Sequence, residues 1–143
     1  MSIFRFIRWI AEGEPGIIYG AGTQKRDFTY VDDIARGTLS ALHLFLSSCH
    51  TSHSSSIYEI INLGSDHPVP LNHVISIIEE LLGKKAQVVY KPKHPADVPA
   101  TWADISKARS LLGWKPQTLL REGLQKAIEW YLQNQNWARN VRP

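Results

Sequence analysis

The residues that could do chemistry gather in the run YGAGTQKRDFTYVDD, residues 19–33. A glycine-bearing turn lets the backbone come close to a ligand. Arg26 leaves that turn on a strand, and a guanidinium offers a rigid fork that suits a diphosphate. Gln24 lies two residues earlier and faces the same way if the strand is regular, where it can bond to sugar or phosphate oxygens. Taken alone, these residues leave a second reading open, in which Arg26 pairs with a nearby surface acid. Asp32 and Asp33 resemble a paired acid, but their place before an apolar repeat makes them a helix N-cap, where carboxylates meet free backbone N–H groups.

Other chemistries are missing their residues. The sequence holds no GxGxxG or GxxGxxG, and its nearest glycines, Gly13, Gly16, Gly20 and Gly22, fall in a turn and a hairpin. None of Tyr19, Tyr30, Tyr58, Tyr90 and Tyr131 is followed four residues later by lysine, and no P-loop, GxSxG or HExxH occurs. Cys49, His50 and His53 sit in a polar stretch; a zinc site needs three or four convergent ligands, so no metal is expected. A single cysteine excludes an internal disulfide.

A chain of 143 residues, 43% of them apolar, suffices for one domain with a core. No apolar stretch approaches the roughly 20 residues that span a bilayer. Arg5 and Arg8 interrupt the opening MSIFRFIRWI, which therefore does not read as a secretory signal, and a cytoplasmic location is expected. The net charge of +3 comes from Lys and Arg spread from Arg5 to Arg142 among acids. Nucleic-acid binding needs a basic stripe. Lys84-Lys85 reads as a solvated turn and Arg139 to Arg142 as part of a tail over 137–143. A small anionic ligand accounts for the balance as well.

These residues must be positioned by elements that the apolar spacing predicts. Ile3, Phe6, Ile7 and Ile10 form a helical stripe ended by Gly13 and Pro15. Strands are expected over 16–19 and 26–30, as hairpin partners around a turn at 21–25. Asp32 and Asp33 cap a helix to Leu46 with Ile34, Thr38, Ala41, Leu42 and Phe45 inward. Residues 47–56 read as a surface loop, and IYEIINL, 57–63, as a strand buried on both faces. A helix opens at Pro70 and Leu71, with Val74, Ile78, Leu81 and Leu82 inward, and stops at Gly83. Residues 86–90 form a strand and 91–101 a Pro-rich connection. Asp104 caps a helix through Leu112, closed by Gly113 and Pro116. The last helix, about 120–136, turns Leu124, Ala127, Ile128 and Tyr131 inward. The order αββαβαβαα argues an α/β fold, with no domain boundary visible within the chain.

At this point the sequence resembles a known family. YGAGTQKRDFTYVDDIARG is similar to the segment that follows the catalytic half of extended short-chain dehydrogenase/reductases acting on nucleotide-sugars. YEIINLGSDHPVPLNHVISIIEELLGKKAQVVY resembles the family's later strand, loop, helix and strand. HPADVPATWADISKARSLLGWKPQTLLREGLQKAIEWY resembles its carboxy-terminal signature, most similar to that of UDP-glucuronate 4-epimerases. The resemblance runs to about Tyr131. It implies that Arg26 contacts the nucleotide diphosphate and that Gln24 lies on the substrate side. It implies that Asp97 bonds the ribose hydroxyls of the uridine, as two carboxylate oxygens can accept from both hydroxyls of a cis-diol. Asn62 matches a strand-end asparagine, structural or in contact with ligand. His94 stands where other members often carry a second phosphate-binding arginine, and Ala96 replaces their usual glycine.

The resemblance further implies an enzyme that uses bound NAD to oxidise the sugar at C4, let the keto-sugar turn over and reduce it on the other face. Its glycine fingerprint and its catalytic tyrosine and lysine belong to an amino-terminal half not found here. The chain is thus expected to be the C-terminal UDP-sugar-binding portion of an extended Rossmann-type epimerase, a fragment inactive alone and binding no NAD itself. Full-length relatives are expected to be homodimers. The alternatives are a stand-alone nucleotide-sugar module, or the same portion of a 4,6-dehydratase or decarboxylase. Without the partner half, the 57–63 strand and the 33–46 helix should expose apolar surface, making the chain poorly soluble or partly disordered.

Overall fold

The structure is a computed structural model that describes residues 2–49 and 58–141, with only the backbone of Ser48 and Cys49. Its elements are α1 (Ser2–Glu12), β1 (Pro15–Tyr19), β2 (Lys25–Arg26), α2 (Val31–Cys49), β3 (Val69–Pro70), α3 (Leu71–Leu82), β4 (Gln87–Lys91), α4 (Ser106–Leu112), α5 (Leu120–Gln133) and α6 (Gln135–Ala138). They form two compact units. The first comprises 1–26, 69–101 and 119–143, the second 27–68 and 102–118. Each is assembled from separated segments, so no linker marks a boundary in the sequence.

In the first unit, α1, α3 and α5 pack on one another. The predicted stripes meet there: Ile7 and Ile10 from α1, Val74 and Ile78 from α3, Leu124, Ile128 and Tyr131 from α5 are all buried. Gly83, at φ 64°, ends α3 in the left-handed conformation that favours glycine. Tyr131 is fully buried, and its hydroxyl donates to Glu12 Oε1 at 2.8 Å, an oxygen that also receives Gln135 Nε2 at 2.6 Å. Burial and the adjoining carboxylate push the Tyr131 phenol well up. The Gln135 amide holds the Glu12 carboxyl below its ordinary value against the opposing effect of burial, helped by Tyr131. β1 pairs in parallel with β4, Pro15 against Gln87 through Tyr19 against Lys91.

In the second unit, Ile105, Ala108 and Trp114 form a core, with Ile61, Leu63, Ala103 and Leu112 against it. α2 packs on α4. Gly37 makes that approach possible: a Cβ there would press on Leu63 and the Trp114 indole. The indole N–H donates to the Asp33 carbonyl at 2.9 Å.

Five expectations are corrected. The 16–19 strand has no hairpin partner at 26–30. Its neighbour is β4, and β2 stops at Arg26 and pairs antiparallel with β3. Beyond Arg26 the chain is held by a side chain instead, since the Asp27 carboxylate takes backbone N–H groups from Ser65 at 2.8 Å and Ala103 at 3.1 Å. Residues 58–63 are not a strand; Tyr58 and Ile60 are exposed while Ile61 and Leu63 lie on the Trp114 core. Among the described residues no strand pairs with that segment. Ile57 and most of the expected 47–56 loop lie outside the described residues.

On α2 the inward face is set by Asp33 and Gly37, while Thr38, Leu42 and Phe45 are exposed. Asp33 is no N-cap. It lies inside α2, and its carboxylate receives the backbone N–H groups of Gln117 at 3.2 Å and Thr118 at 2.9 Å, and Arg36 at 2.5 Å. Burial alone would raise its pKa; these donors prevail and hold it below the ordinary aspartate value. The C-terminal helix, expected as one, breaks at Asn134 into α5 and α6.

Candidate functional site

The site lies in the first unit, beyond the carboxyl ends of β1 and β4. Tyr19 and Lys91 end these strands side by side, and Gly20 N–H donates to the Lys91 carbonyl at 2.8 Å. The chain then turns through Gly20 and Gly22, at φ 74° and 72°. The start of α3 fixes this turn. Asn72 donates from its backbone to Gly22 O at 3.0 Å and from Nδ2 to Ala21 O at 2.9 Å, and Leu71 N–H donates to Gln24 O at 3.2 Å. A Cβ on Gly22 would run into the Asn72 amide. β2 follows, with β3 on one side; on the other, Lys25 N–H donates to Pro99 O at 2.8 Å and Thr101 N–H to Lys25 O at 3.2 Å. Segment 97–101 is thereby laid along Lys25 and Arg26.

Arg26 and Asp97, 71 positions apart, meet here. Arg26 Nη2 forms an ion pair with Asp97 Oδ1, and Nη1 donates to Lys25 O at 2.7 Å and Val98 O at 3.1 Å. Both side chains are 23% exposed, so a ligand can reach them. The loop before Asp97 is folded on itself: Asp97 N–H donates to His94 O at 2.9 Å, and Ala96 N–H to His94 Nδ1 at 3.2 Å. A guanidinium beside a carboxylate offers N–H donors for an anion and an acceptor for hydroxyls at one place. The surface acid that could have made Arg26 uninteresting is thus the other predicted site residue.

Gln24 is placed differently from its expectation. β2 begins only at Lys25, so strand alternation does not carry Gln24 to the side of Arg26. Its Nε2 donates to Tyr19 O at 2.9 Å and braces the turn. Asn62 belongs to the second unit and is exposed.

Two acids in the second unit were not singled out by sequence reasoning. Asp27, besides its two backbone donors, accepts from the Ser65 hydroxyl. Asp66 sits at φ 58° and accepts Trp102 Nε1 at 3.0 Å and Arg109 Nη2 at 2.9 Å. The signal for Asp27 was its place beside Arg26 in the conspicuous run; its partners are far along the chain and leave no local pattern.

A dinucleotide cradle needs glycines between a strand and a helix N-terminus. The Gly20–Gly22 turn leads into β2 instead, and Asn72 fills the space beside Gly22. These residues do not fit NAD. No three His, Cys, Asp or Glu side chains gather as metal ligands among the described residues; His50 and His53 lie outside them. No helix among the described residues is long and apolar enough to cross a membrane.

A family model described as GDP-mannose 4,6 dehydratase matches residues 1–127. The chain belongs to this family of extended short-chain dehydrogenase/reductase epimerases and dehydratases. Within the family it is 48% identical to a UDP-glucuronate 4-epimerase of Thermodesulfobacterium geofontis, over 99% of this chain and 41% of the relative. Among solved structures, MoeE5 in complex with UDP-glucuronic acid and NAD superposes with TM-score 0.81 at 37% identity, over 94% of this chain and 42% of that one. The UDP-glucuronic acid 4-epimerase of Bacillus cereus, in complex with UDP-glucuronic acid and NAD, gives 0.80 at 36% identity, over 94% and 40%. The α/β fold is therefore that of Rossmann-type epimerases of this family, and the chain spans about two-fifths of the length of these relatives.

Proposed function

We propose that this chain is the UDP-sugar-binding portion of a nucleotide-sugar 4-epimerase of the UDP-glucuronate type. The observation that carries the reading is the meeting of Arg26 and Asp97 beyond the ends of two parallel strands, where α/β sheets bind ligands. Arg26 grips the diphosphate and Asp97 accepts the ribose hydroxyls. Gln24 shapes the turn beside them, and Asn62 is the weakest candidate for contact. In the free chain the Arg26 fork is closed on Asp97; the diphosphate takes over guanidinium donors and frees the carboxylate for the diol. Relatives that carry the epimerase name, and neighbours solved with UDP-glucuronic acid, support this choice of ligand.

NAD, which supplies hydride chemistry when bound, is assigned to the part of the relatives that this chain does not span. The chain alone then binds a UDP-sugar without converting it. The whole enzyme is read as a cytoplasmic homodimer. Leu39, Leu42 and Phe45 on α2, and Tyr58 and Ile60, all exposed, are the surface that the rest of such an enzyme covers. The family model's own description favours 4,6-dehydration as the second reading, and product analysis of the whole enzyme separates the two.

Calorimetric titration of this chain with UDP tests the proposal. Saturable binding weakened about tenfold or more in Arg26→Ala is expected, as for loss of a charge-assisted fork. No binding, or equal binding by the variant, contradicts it.

A further inference from the structure

The stretch 69–72 holds the chain that leads to Arg26. Val69 pairs with Arg26 and Pro70 with Lys25 between β3 and β2. Leu71 N–H donates to Gln24 O at 3.2 Å, and Asn72 N–H to Gly22 O at 3.0 Å. These contacts use backbone, which most residue types supply. The remaining one depends on a side chain: Asn72 Nδ2 donates to Ala21 O at 2.9 Å, a bond across 51 positions.

Ala21 lies between Gly20 and Gly22, both at positive φ. Glycine backbone is the freest of all, so an untied turn here would leave β1 in many directions. The Asn72 amide also occupies the space beside Gly22, where a Cβ would collide with Oδ1. Its own helix does not use it. The N-cap of α3 is Pro70, with no side-chain cap bond, so the Asn72 amide serves the turn. A guanidinium fork grips a diphosphate best when its direction is set in advance, because ordering it on binding costs affinity.

We propose that Asn72 is a positioning residue for nucleotide-sugar binding, whose side-chain amide pre-sets the glycine turn that delivers Arg26 to Asp97 and the diphosphate. This rests on the nucleotide-sugar reading above.

The test is calorimetric titration of the full chain with UDP, for wild type, Asn72→Ala, Asn72→Asp, Arg26→Lys and the Asn72→Ala/Arg26→Lys double variant. An acid in the first turn suits a helix, so Asn72→Asp keeps α3 while offering Ala21 O only acceptors. Both Asn72 variants are expected to bind UDP about 3- to 10-fold more weakly at unchanged stoichiometry, as for the loss of one hydrogen bond. Arg26→Lys keeps the charge without the fork, so it binds more weakly but measurably. In that background Asn72→Ala should cost less than about twofold, since there is no fork left to orient. A merely structural role would give the same loss in both backgrounds or reduce the stoichiometry. Either of those results, or wild-type affinity in either Asn72 variant, overturns the role of Asn72 while the nucleotide-sugar reading stands. If wild type does not bind UDP, both fall.

Discussion

The two units are stabilised by different means. The first buries side chains from three helices around Tyr131, Val74 and Ile78, and its strands pair with each other. The second has a small core at Ile105, Ala108 and Trp114 and relies on carboxylates: Asp33 holds residues 117 and 118, and Asp27 holds residues 65 and 103. It also leaves Leu39, Leu42 and Phe45 on α2 exposed. Apolar burial is non-directional and tolerates small shifts, whereas a carboxylate that receives two backbone N–H groups fixes loops in one geometry. The first unit therefore has the rigidity to present a site on its loops. The second has an ordered frame with an uncovered apolar face.

The contrast can be broken by mutation. The largest effect is expected at Tyr131→Ala, which empties the first core and should lower unfolding free energy by about 3–5 kcal/mol in denaturant titration. A loss below about 1 kcal/mol would mean that this core is not the main support. Asp33→Ala should cost about 2–3 kcal/mol, because it leaves the 117 and 118 amides without their acceptor. Hydrogen exchange at those two amides should rise; unchanged protection would remove the carboxylate from its assigned role.

The pH response tests the carboxylates of both units. Asp33 has a folded pKa below its ordinary value of 3.8, so its contribution is fully present above that value. It is lost as pH falls through the lower folded value, when the carboxylate takes up a proton. Glu12 and Glu79 are lowered from 4.5 and act in the same direction in the first unit. Acid should therefore destabilise wild type below about pH 4, and the Asp33→Asn variant should show a shallower acid limb. An identical limb would show that Asp33 is not linked to folding. The smallest effect is expected for Phe45→Lys on the exposed face of α2: stability within about 0.5 kcal/mol, with a higher solubility limit. A large loss of stability would mean that this face is packed after all.

Much of this was legible in the residues. The stripes of α1, α3 and α5 have strong helical spacing, and α1 and α3 end at glycines, so the first core could be read directly. Arg26 and Asp97 could be nominated from motifs, yet their pairing could not, since it depends on segment 97–101 docking beside Lys25. The reading failed where a strand was inferred from apolar content alone. Residues 58–63 have no ladder partner among the described residues, and 27–30 are held by the Asp27 side chain instead of a strand. Strand pairing is a long-range property, and neither segment carries its partner in its own sequence. Asp33 was misplaced for the same reason: a carboxylate at a helix start suggests capping, while its backbone donors lie more than 80 residues away.

The central claim is that Arg26 and Asp97 together hold the nucleotide end of a UDP-sugar. A crystal structure of the chain soaked with UDP tests it most directly. The account predicts diphosphate oxygens within hydrogen-bond distance of the Arg26 guanidinium and the ribose hydroxyls on the Asp97 carboxylate. UDP bound elsewhere, with the Arg26–Asp97 ion pair unchanged, would contradict it.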